Sequence, residues 1–498
     1  MSASSQVDVT AAKTLWSDTS FYLGRFEKSA AALIAVERAL RANGAAESGE
    51  FLRLFEFVSE ASAEQFTKLW NDPVAYYWVR RAVHLLAALH GAPMGSVELA
   101  YCAEVEAAGP AEALRIHLAE FKRFALARAI LSGQELRFAE PYVTTLPLAL
   151  PGTQFVIVGK DSSISIHGVT ATHIEAQGDR IALPMADDTA PASAPHVERC
   201  PFVEMGNVRI ALNPALFRLP GIGLSSQWSE PSSDFQKLHA QPLTEALALV
   251  ASLQPESFTQ FRQALHTIAL KPISEGSFGS LSSSELPGAF ICSVPCDRYE
   301  LAATLIHEFH HNRLFYIEEA GPFFEEGGED PIEGENHYSP WRDGPRPLHG
   351  LFHALYVYLP VFRFWSAAIE AKQLGKDQCT YALDQIARIP FQLQIGVNQI
   401  RRHARLTSFG AALFGQMAKE VTGAEAKRVA IGASLALPAM SPRTSGTLRP
   451  VLGHDDQPQS VGETLLEHLA TRDSRDECAT ERRSLTATLL RARDESAR

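Results

Sequence analysis

The feature that most constrains the fold of this chain is a change of hydrophobic period at Pro141, which reverses near residue 240. From residue 11 to about 135, apolar residues recur at helical spacing. Between about 141 and 215 they stand in short runs of β type, separated by Gly, Asp and Gln. The helical spacing then returns. The pattern predicts an α+β fold that is mostly helical, with a small antiparallel β region at about 141–215 and a helical core. A His-Glu-x-x-His motif within that core predicts that it binds a metal.

The same pattern divides the chain into four parts. We expect an N-terminal helical region at 11–135, a β-rich region at 141–215, a helical metal-binding catalytic region at 240–440 and a polar C-terminal tail at 441–498. Low apolar content and many charges define the tail. Within the third part, helical spacing continues through residues 257–270, so we expect a helix there. Residues 289–294 are expected to form a buried strand.

Charge and composition limit the partners of the protein. The 498 residues include 45 basic and 57 acidic side chains, and the net charge of -12 comes with no long basic run. This balance argues against nucleic acid or an anionic membrane as the main partner. No apolar stretch is long enough to span a bilayer, and the first residues do not resemble a signal peptide. Together with six scattered cysteines, these features predict a cytoplasmic protein, and none of them indicates an oligomeric state.

A helix with metal-binding character is predicted around residues 301–314. It contains the pattern His-Glu-x-x-His, formed by His307, Glu308 and His311. Residues four apart share one face of a helix, so the two imidazoles can bind one ion from the same side. Asp297 is the expected N-cap. The alternative is a chance match, but the apolar helix around the motif favours a metal site because buried polar groups need partners.

A catalytic metal needs a third protein ligand. The downstream candidates are Glu318, Glu319, Glu325, Glu326, Glu335, His337, His349, His353 and Glu370. Of these, His349 and His353 lie four residues apart at the start of a strongly apolar helix, so either could point into the same cleft. The alternative role for His353 is that of a buried histidine with a hydrogen-bond partner.

Three further residues downstream of the motif could bind an anion. Arg342 and Arg346 lie among prolines, and a guanidinium on such a stiffened backbone suits bidentate binding of a carboxylate. Tyr338 could donate its hydroxyl to the same anion. The alternatives are a structural ion pair for the arginines, with Asp343 or another loop carboxylate, and a packing role for Tyr338.

Two enzyme chemistries fit this set of residues. In a zinc peptidase, the metal lowers the pKa of bound water and Glu308 acts as the general base. In a non-haem Fe(II) oxygenase, two histidines and a further ligand hold iron while other positions stay open for a co-substrate and O₂. An anionic co-substrate such as 2-oxoglutarate needs a cation for its distal carboxylate, which Arg346 or Arg342 offers. A non-catalytic peptide-binding protein is the third alternative.

Three ordered blocks of this sequence resemble one known family, the HExxH-motif proteins encoded near ribosomally synthesised peptide (RiPP) natural products. The first block runs from residue 283 to 295, and the second is the helix at 301–314. The third comprises Tyr338-Ser339-Pro340-Trp341-Arg342, Pro345-Arg346-Pro347 and Gly350-Leu351-Phe352-His353-Ala354. The similarity extends over about 283–365, and three blocks in order are more specific than the pentapeptide alone.

The resemblance implies a 2-oxoglutarate- and Fe(II)-dependent peptide β-hydroxylase that uses O₂ and acts on a precursor peptide. Carried over to this chain, it makes His307 and His311 iron ligands and His353 the third ligand. Arg346, or else Arg342, becomes the 2-oxoglutarate anchor. Glu308 then orients water or a metal ligand instead of serving as a peptidase base. The choice between His353 and His349 stays open at this point.

Overall fold

The computed structural model describes most of the chain between residues 21 and 434. The described residues are 21–43, 49–91, 109–159, 163–170, 172–176, 179–183, 195–206, 208–212, 238–271, 279–294, 297–326, 337–341 and 345–434. The N-terminal part of these residues is helical. Its helices are α1 (Phe21–Asn43), α2 (Gly49–Ser59), α3 (Ala63–Trp70), α4 (Pro73–Leu89), α5 (Pro110–Ala119) and α6 (Lys122–Ser132).

Local capping and aromatic packing hold the N-terminal helices in place. Ser62 and Gln65 form a capping box at the start of α3, and Asp72 caps α4, which begins with a proline. In the core between these helices, the ring of Trp70 stacks on Phe124 at 5.3 Å, and Trp78 stacks on His117 at 5.0 Å. Buried aromatic side chains of this size supply much of the apolar area that a helical core needs.

The middle of the chain forms short strands. They are β1 (Leu136–Thr145), β2 (Leu148–Ala149), β3 (Phe155–Val158), β4 (Ser163–Val169), β5 (His173–Ala176), β6 (Asp179–Ala182), β7 (His196–Arg199), β8 (Phe202–Met205) and β9 (Val208–Leu212). One antiparallel sheet has the order β1-β4-β5-β6 and another has the order β2-β3-β7. Strands β8 and β9 pair as an antiparallel hairpin, with Gly206 at φ 65° in its turn.

Pro141 lies inside β1 and does not precede it. The strand already begins at Leu136, and its pairing with β4 shifts register between Arg137 and Tyr142. A proline cannot donate to the hydrogen-bond ladder, so a local irregularity is where a strand accommodates one. The change of period therefore marks the β region correctly, but the first strand starts five residues earlier than the proline suggests.

The remaining elements build the second half of the structure. They are α7 (Ala240–Leu253), α8 (Pro255–Ala264), β10 (Thr267–Lys271), β11 (Ser280–Ser282), β12 (Ala289–Ser293), α9 (Arg298–Glu318), α10 (Leu348–Glu370), α11 (Lys376–His403) and α12 (Ser408–Ser434). The expectation of one helix over residues 257–270 is wrong. Helix α8 ends at Ala264, Leu265 is extended, and β10 is buried along its whole length. A short apolar run of this kind fits a buried strand as well as a helix.

Strands β10 and β12 connect two hydrophobic cores. They lie in a five-stranded sheet of order β11-β12-β10-β9-β8, and β10 pairs in parallel with both β12 and β9. Alternate side chains point to opposite faces of the sheet. Ile268 and Phe290 belong to the core of the second half, whereas Ala269 and Ile291 belong to the core of the N-terminal helices. The sheet thus contains strands from both the expected β-rich region and the expected catalytic region.

The prediction of a mostly helical α+β fold with antiparallel sheets is confirmed. Among the helices of the described residues, none combines the length and apolar character that a membrane span requires. The tail expected at 441–498 lies outside the described residues, as does Arg342.

Candidate metal centre

Helix α9 carries the HExxH motif and is buried on almost every side. Asp297 caps it as expected, accepting hydrogen bonds from the backbone N–H groups of Tyr299 and Glu300. The half-buried residues form a single stripe along the helix, spaced three or four apart. They are Glu300, Thr304, His307, His311, Phe315 and Glu318. Because such spacing follows one helical face, this stripe is one side of α9. It contacts helix α10 through His311 with His353 and through Glu318 with His349, and we call the space between the stripe and α10 the cleft.

Asn312 fixes α9 against strand β12. Its side-chain oxygen accepts a hydrogen bond from the Gly288 N–H at 2.9 Å. Its amide nitrogen donates to the backbone oxygens of Ala289 at 3.1 Å and Glu308 at 3.4 Å. The residue is 2% exposed, so these bonds are shielded from water. Asn312 therefore sets the position of the motif helix relative to the strand that precedes it.

Replacing Asn312 with alanine is expected to destabilise the protein by about 2–4 kcal/mol, because buried backbone groups of Gly288 and Ala289 lose their partners. The midpoint of urea unfolding, followed by circular dichroism, measures the effect. Gln394→Ala is the matched control, because Gln394 is exposed on α11 and bonds to Asn398. It should change stability by less than about 0.5 kcal/mol. Equal midpoints for the two variants would contradict the anchoring role.

His307 and His311 lie side by side on the stripe. Their Nε2 atoms are 3.2 Å apart. Imidazole nitrogens bind zinc at about 2.0–2.1 Å, and two ligands at neighbouring positions of one ion are then about 3 Å apart. The spacing of the two nitrogens therefore fits joint binding of one metal ion.

His353 adjoins this pair from helix α10. Its Nδ1 lies 3.2 Å from Nδ1 of His311, the nitrogen opposite the one that faces His307. The three imidazoles form a row in which His311 is central and directs one nitrogen to each neighbour. A histidine ring can turn by 180° within nearly the same volume, which changes the edge it presents. The role of His353 as third ligand stays a prediction, and the structure brings it into contact with the pair.

Glu318, at the end of α9, and His349, on the first turn of α10, extend the row of imidazoles. The Nε2 atom of His349 lies 2.7 Å from Oε1 of Glu318, and Nε2 of His353 lies 3.7 Å from Oε2. Burial raises the pKa of Glu318, but the contacts with His349 and His353 outweigh it and lower that pKa to about 2. Burial lowers the pKa of His353 to about 4 against the attraction of Glu318. His353 is thus a neutral imidazole at neutral pH, as a metal ligand must be.

The carboxylate of Glu308 is held by strand β11. Ser280 donates a hydrogen bond to Oε1. The Ser282 hydroxyl donates its one hydrogen to Oε2 at 2.6 Å, and its oxygen also lies 2.9 Å from the Glu308 carbonyl oxygen. The residue is 3% exposed. Burial raises its pKa to about 7, although the serine bonds act in the opposite direction. Its Oε1 is 3.9 Å from Nε2 of His307, so Glu308 adjoins the metal pair while both oxygens accept serine hydrogens.

Arg346 lies over the first turn of α10, next to the histidine row. A Cβ atom at Gly350 would meet Cγ and Cδ of Arg346 at 2.8 and 2.9 Å, so the arginine crosses this glycine. The guanidinium is near enough to His353 to lower the pKa of that imidazole. The backbones of Arg346 and His337 pair as an isolated bridge, which places Tyr338 beside the arginine along the chain. Tyr338 is buried, and its role as an anion donor stays a prediction.

Two aromatic side chains that the motif does not indicate complete the cleft near His307. The ring of Tyr358 contacts His307 with centroids 5.1 Å apart, and Trp341 stacks on Tyr358 at 5.5 Å. Tyr358 lies five residues after His353 on the same helix, a local relation visible in the sequence. The contact of Ser280 and Ser282 with Glu308, in contrast, depends on the packing of β11 against α9 and carries no signal in the spacing of residues.

Helix α4 of the N-terminal part contacts the segment before strand β12 and the residue that follows helix α9. Arg80 on α4 forms an ion pair with Glu285, which precedes β12, at 3.0 Å. Tyr76 on the same helix donates a hydrogen bond to Glu319, directly after α9. Glu285 is 3% exposed, whereas the Arg80 side chain is 36% exposed, so only the carboxylate of this pair is shielded from water. Helix α4 therefore braces the motif helix at its end and the strand at its start.

No protein-family model matches this chain, and no curated protein matches it either. The similarity to the HExxH-motif peptide hydroxylases therefore stays a prediction.

Proposed function

We propose that this protein is a 2-oxoglutarate- and Fe(II)-dependent oxygenase that hydroxylates the β-carbon of a side chain in a ribosomally made precursor peptide. The observation that carries the proposal is the position of Arg346 beside His353, whose imidazole contacts the His307–His311 pair. A fixed cation next to a row of imidazoles is what an anionic co-substrate bound at a metal requires.

The residues present fit an iron centre of this kind. His307 and His311 would hold the ion through their Nε2 atoms, which are 3.2 Å apart, and His353 is the nearest further imidazole. In its neutral form each of the three imidazoles has a nitrogen lone pair that can bind a metal ion. Arg346 would bind the distal carboxylate of 2-oxoglutarate with two parallel hydrogen bonds.

The remaining residues of the cleft position these groups. The serine-bound Glu308 ties α9 to β11, and Asn312 ties the same helix to β12. The stacked Trp341 and Tyr358 form an apolar wall against His307, where a peptide side chain would pack and exclude water. Helices α9 and α10 are extensively buried, so the imidazoles project from packed elements, as a catalytic metal site needs.

Iron, 2-oxoglutarate and O₂ together supply the oxidising power of the reaction. One oxygen atom enters a C–H bond of the peptide and the other enters succinate, while the co-substrate loses its C1 carboxyl group as CO₂. Such an enzyme would act in the cytoplasm, where precursor peptides are made, and needs no nucleic acid or membrane partner.

The proposal is tested with purified full-length protein, Fe(II), 2-oxoglutarate and a candidate ribosomally made precursor peptide. The expected result is succinate in step with a peptide that gains one oxygen, measured by mass spectrometry under ¹⁸O₂. Absence of succinate and of the oxygen gain, with intact peptide bound at the cleft, would favour the non-catalytic peptide-binding alternative.

A zinc peptidase is the second candidate, and the observation that favours it is the closeness of Glu308 to His307. The raised pKa of Glu308 suits a general base. However, both of its carboxylate oxygens accept hydrogen bonds from serines, which indicates a structural role as well. Replacement of Glu308 by glutamine separates the candidates. In the oxygenase the variant should keep succinate formation within about tenfold, since its amide still bonds to serine. In a peptidase it should lose about 10²–10⁴-fold in cleavage.

Succinate release and peptide cleavage, measured on the same samples with Fe(II) and with Zn(II), provide the readout. Ser282→Ala serves as the control that weakens the anchor of Glu308 without removing its carboxylate. Zn(II)-dependent cleavage that disappears in Glu308→Gln would overturn the oxygenase.

A further inference from the structure

The end of the cleft contains a second group of metal-ligating side chains. Glu318 comes from α9, and His349 and His353 come from the first turns of α10. One ligand atom from each of the three lies within 4.8 Å of the others. This group is distinct from the His307–His311 pair and adjoins it through the contact of His353 with His311.

The composition of this group is that of a metal site. Two histidines and one carboxylate form the set that non-haem iron proteins use, and the same donors bind zinc and manganese. His349 and His353 are four residues apart, so they share one face of α10 as His307 and His311 share one face of α9. Glu318 contributes the negative charge that an array of neutral imidazoles lacks.

A second observation points to a ligand at this position. Nε2 of His353 is buried and has no hydrogen-bond partner among the described residues, and the residue as a whole is 3% exposed. The closest acid, Oε2 of Glu318, is 3.7 Å away, which is beyond hydrogen-bond distance. Buried polar atoms nearly always have a partner, so an orphaned nitrogen directed at a carboxylate calls for an ion or water between them.

We propose that Glu318, His349 and His353 bind a divalent cation, so that the cleft between α9 and α10 holds two ions. A neutral imidazole has one lone pair for a metal, so His353 serves one ion at a time. In the doubly loaded protein it serves this second site through Nε2, and His307 and His311 hold the first ion without the third ligand that the hydroxylase proposal assigns to it. The proposal concerns metal binding alone and does not depend on the hydroxylase activity.

The test is the metal content of the full-length protein. The protein is stripped with a chelator, loaded with Zn(II), separated from free metal by gel filtration and analysed by mass spectrometry of the metal. Isothermal titration with Zn(II) gives the affinities. Wild-type protein should retain two equivalents. Glu318→Gln combined with His349→Ala should lose one of them, and His307→Ala combined with His311→Ala should lose the other.

His196→Ala is the matched control, because His196 also pairs with a glutamate, Glu198, at 2.9 Å on strand β7. It should retain both equivalents. His349 is 32% exposed at its side chain, so its removal should leave the fold intact, as circular dichroism of the metal-free variant can verify. If a variant does not fold, the wild-type stoichiometry decides.

A single equivalent in the wild type overturns the proposal, as does a Glu318→Gln/His349→Ala variant that keeps both. The result is distinguishable from a failure of the hydroxylase proposal. A protein that binds two ions without producing succinate keeps the second site and refutes the activity. A protein that produces succinate with one equivalent of metal does the reverse.

Discussion

Replacing His311 with alanine is expected to remove bound Fe(II) and to reduce succinate formation by more than about 100-fold. Mutations of residues that only contact a metal ligand cost about 10–100-fold, so the loss of a ligand itself should exceed that range. His311 is central in the row, with one nitrogen towards His307 and the other towards His353. Its loss therefore breaks two contacts at once. Iron content after gel filtration and the initial rate of succinate formation provide the measurements.

His196→Ala also controls this experiment, since it removes an imidazole far from the motif in the chain. It should leave both the iron content and the rate unchanged. Because His311 is only half-buried, the alanine variant should keep its fold, and a comparison of metal-free melting curves verifies this. Full activity in His311→Ala would refute the placement of the metal on α9.

Arg346→Met should raise the KM for 2-oxoglutarate by roughly 30-fold or more while changing kcat much less. The substitution keeps the apolar stem and removes charge-assisted hydrogen bonds, which contribute about 1.5–3 kcal/mol each. An interaction made equally in the bound and transition states affects KM and not kcat. Steady-state kinetics with varied 2-oxoglutarate separates the two constants.

Two further variants sharpen the test of Arg346. Arg363→Met removes another arginine of α10, one that pairs with Glu420 at 3.3 Å on the exposed side, and should leave the KM unchanged. Gly350→Ala puts a methyl group against the stem of Arg346 and should displace its guanidinium, raising the KM without removing the charge. An unchanged KM in Arg346→Met would show that the co-substrate has a different anchor.

The sequence predicts the fold class because the period of its apolar residues differs between helices and strands. The prediction fails at residues 265–271 for a definable reason. Phe261, Leu265 and Ile268 have helical spacing. Strand β10, however, is buried on both faces of its sheet, and a strand buried in this way reads as a continuous apolar run. Burial on two sides is a property of the tertiary structure that local periodicity does not report.

The candidate site, too, could be predicted from the sequence only in part. The proximity of His307 and His311 follows from helical geometry, so four residues of spacing are enough to predict it. The contact of His353 with His311 spans 42 positions and arises from the packing of α10 on α9. The hydrogen bonds from Ser280 and Ser282 to Glu308 likewise depend on the packing of strand β11 against α9. Spacing therefore predicts the first two ligands, and tertiary packing decides what surrounds them.

The sheet shared by the two hydrophobic cores has a thermodynamic consequence. Ala269 and Ile291 pack on the N-terminal helices, while their neighbours Ile268 and Phe290 pack beneath the motif helix. Neither core can lose its packing without exposing one face of the same strands. Free energy gained when an ion binds between α9 and α10 therefore also protects helices α2 to α6 from unfolding. Slower amide exchange in α4 on addition of metal would be the sign of this coupling across the sheet.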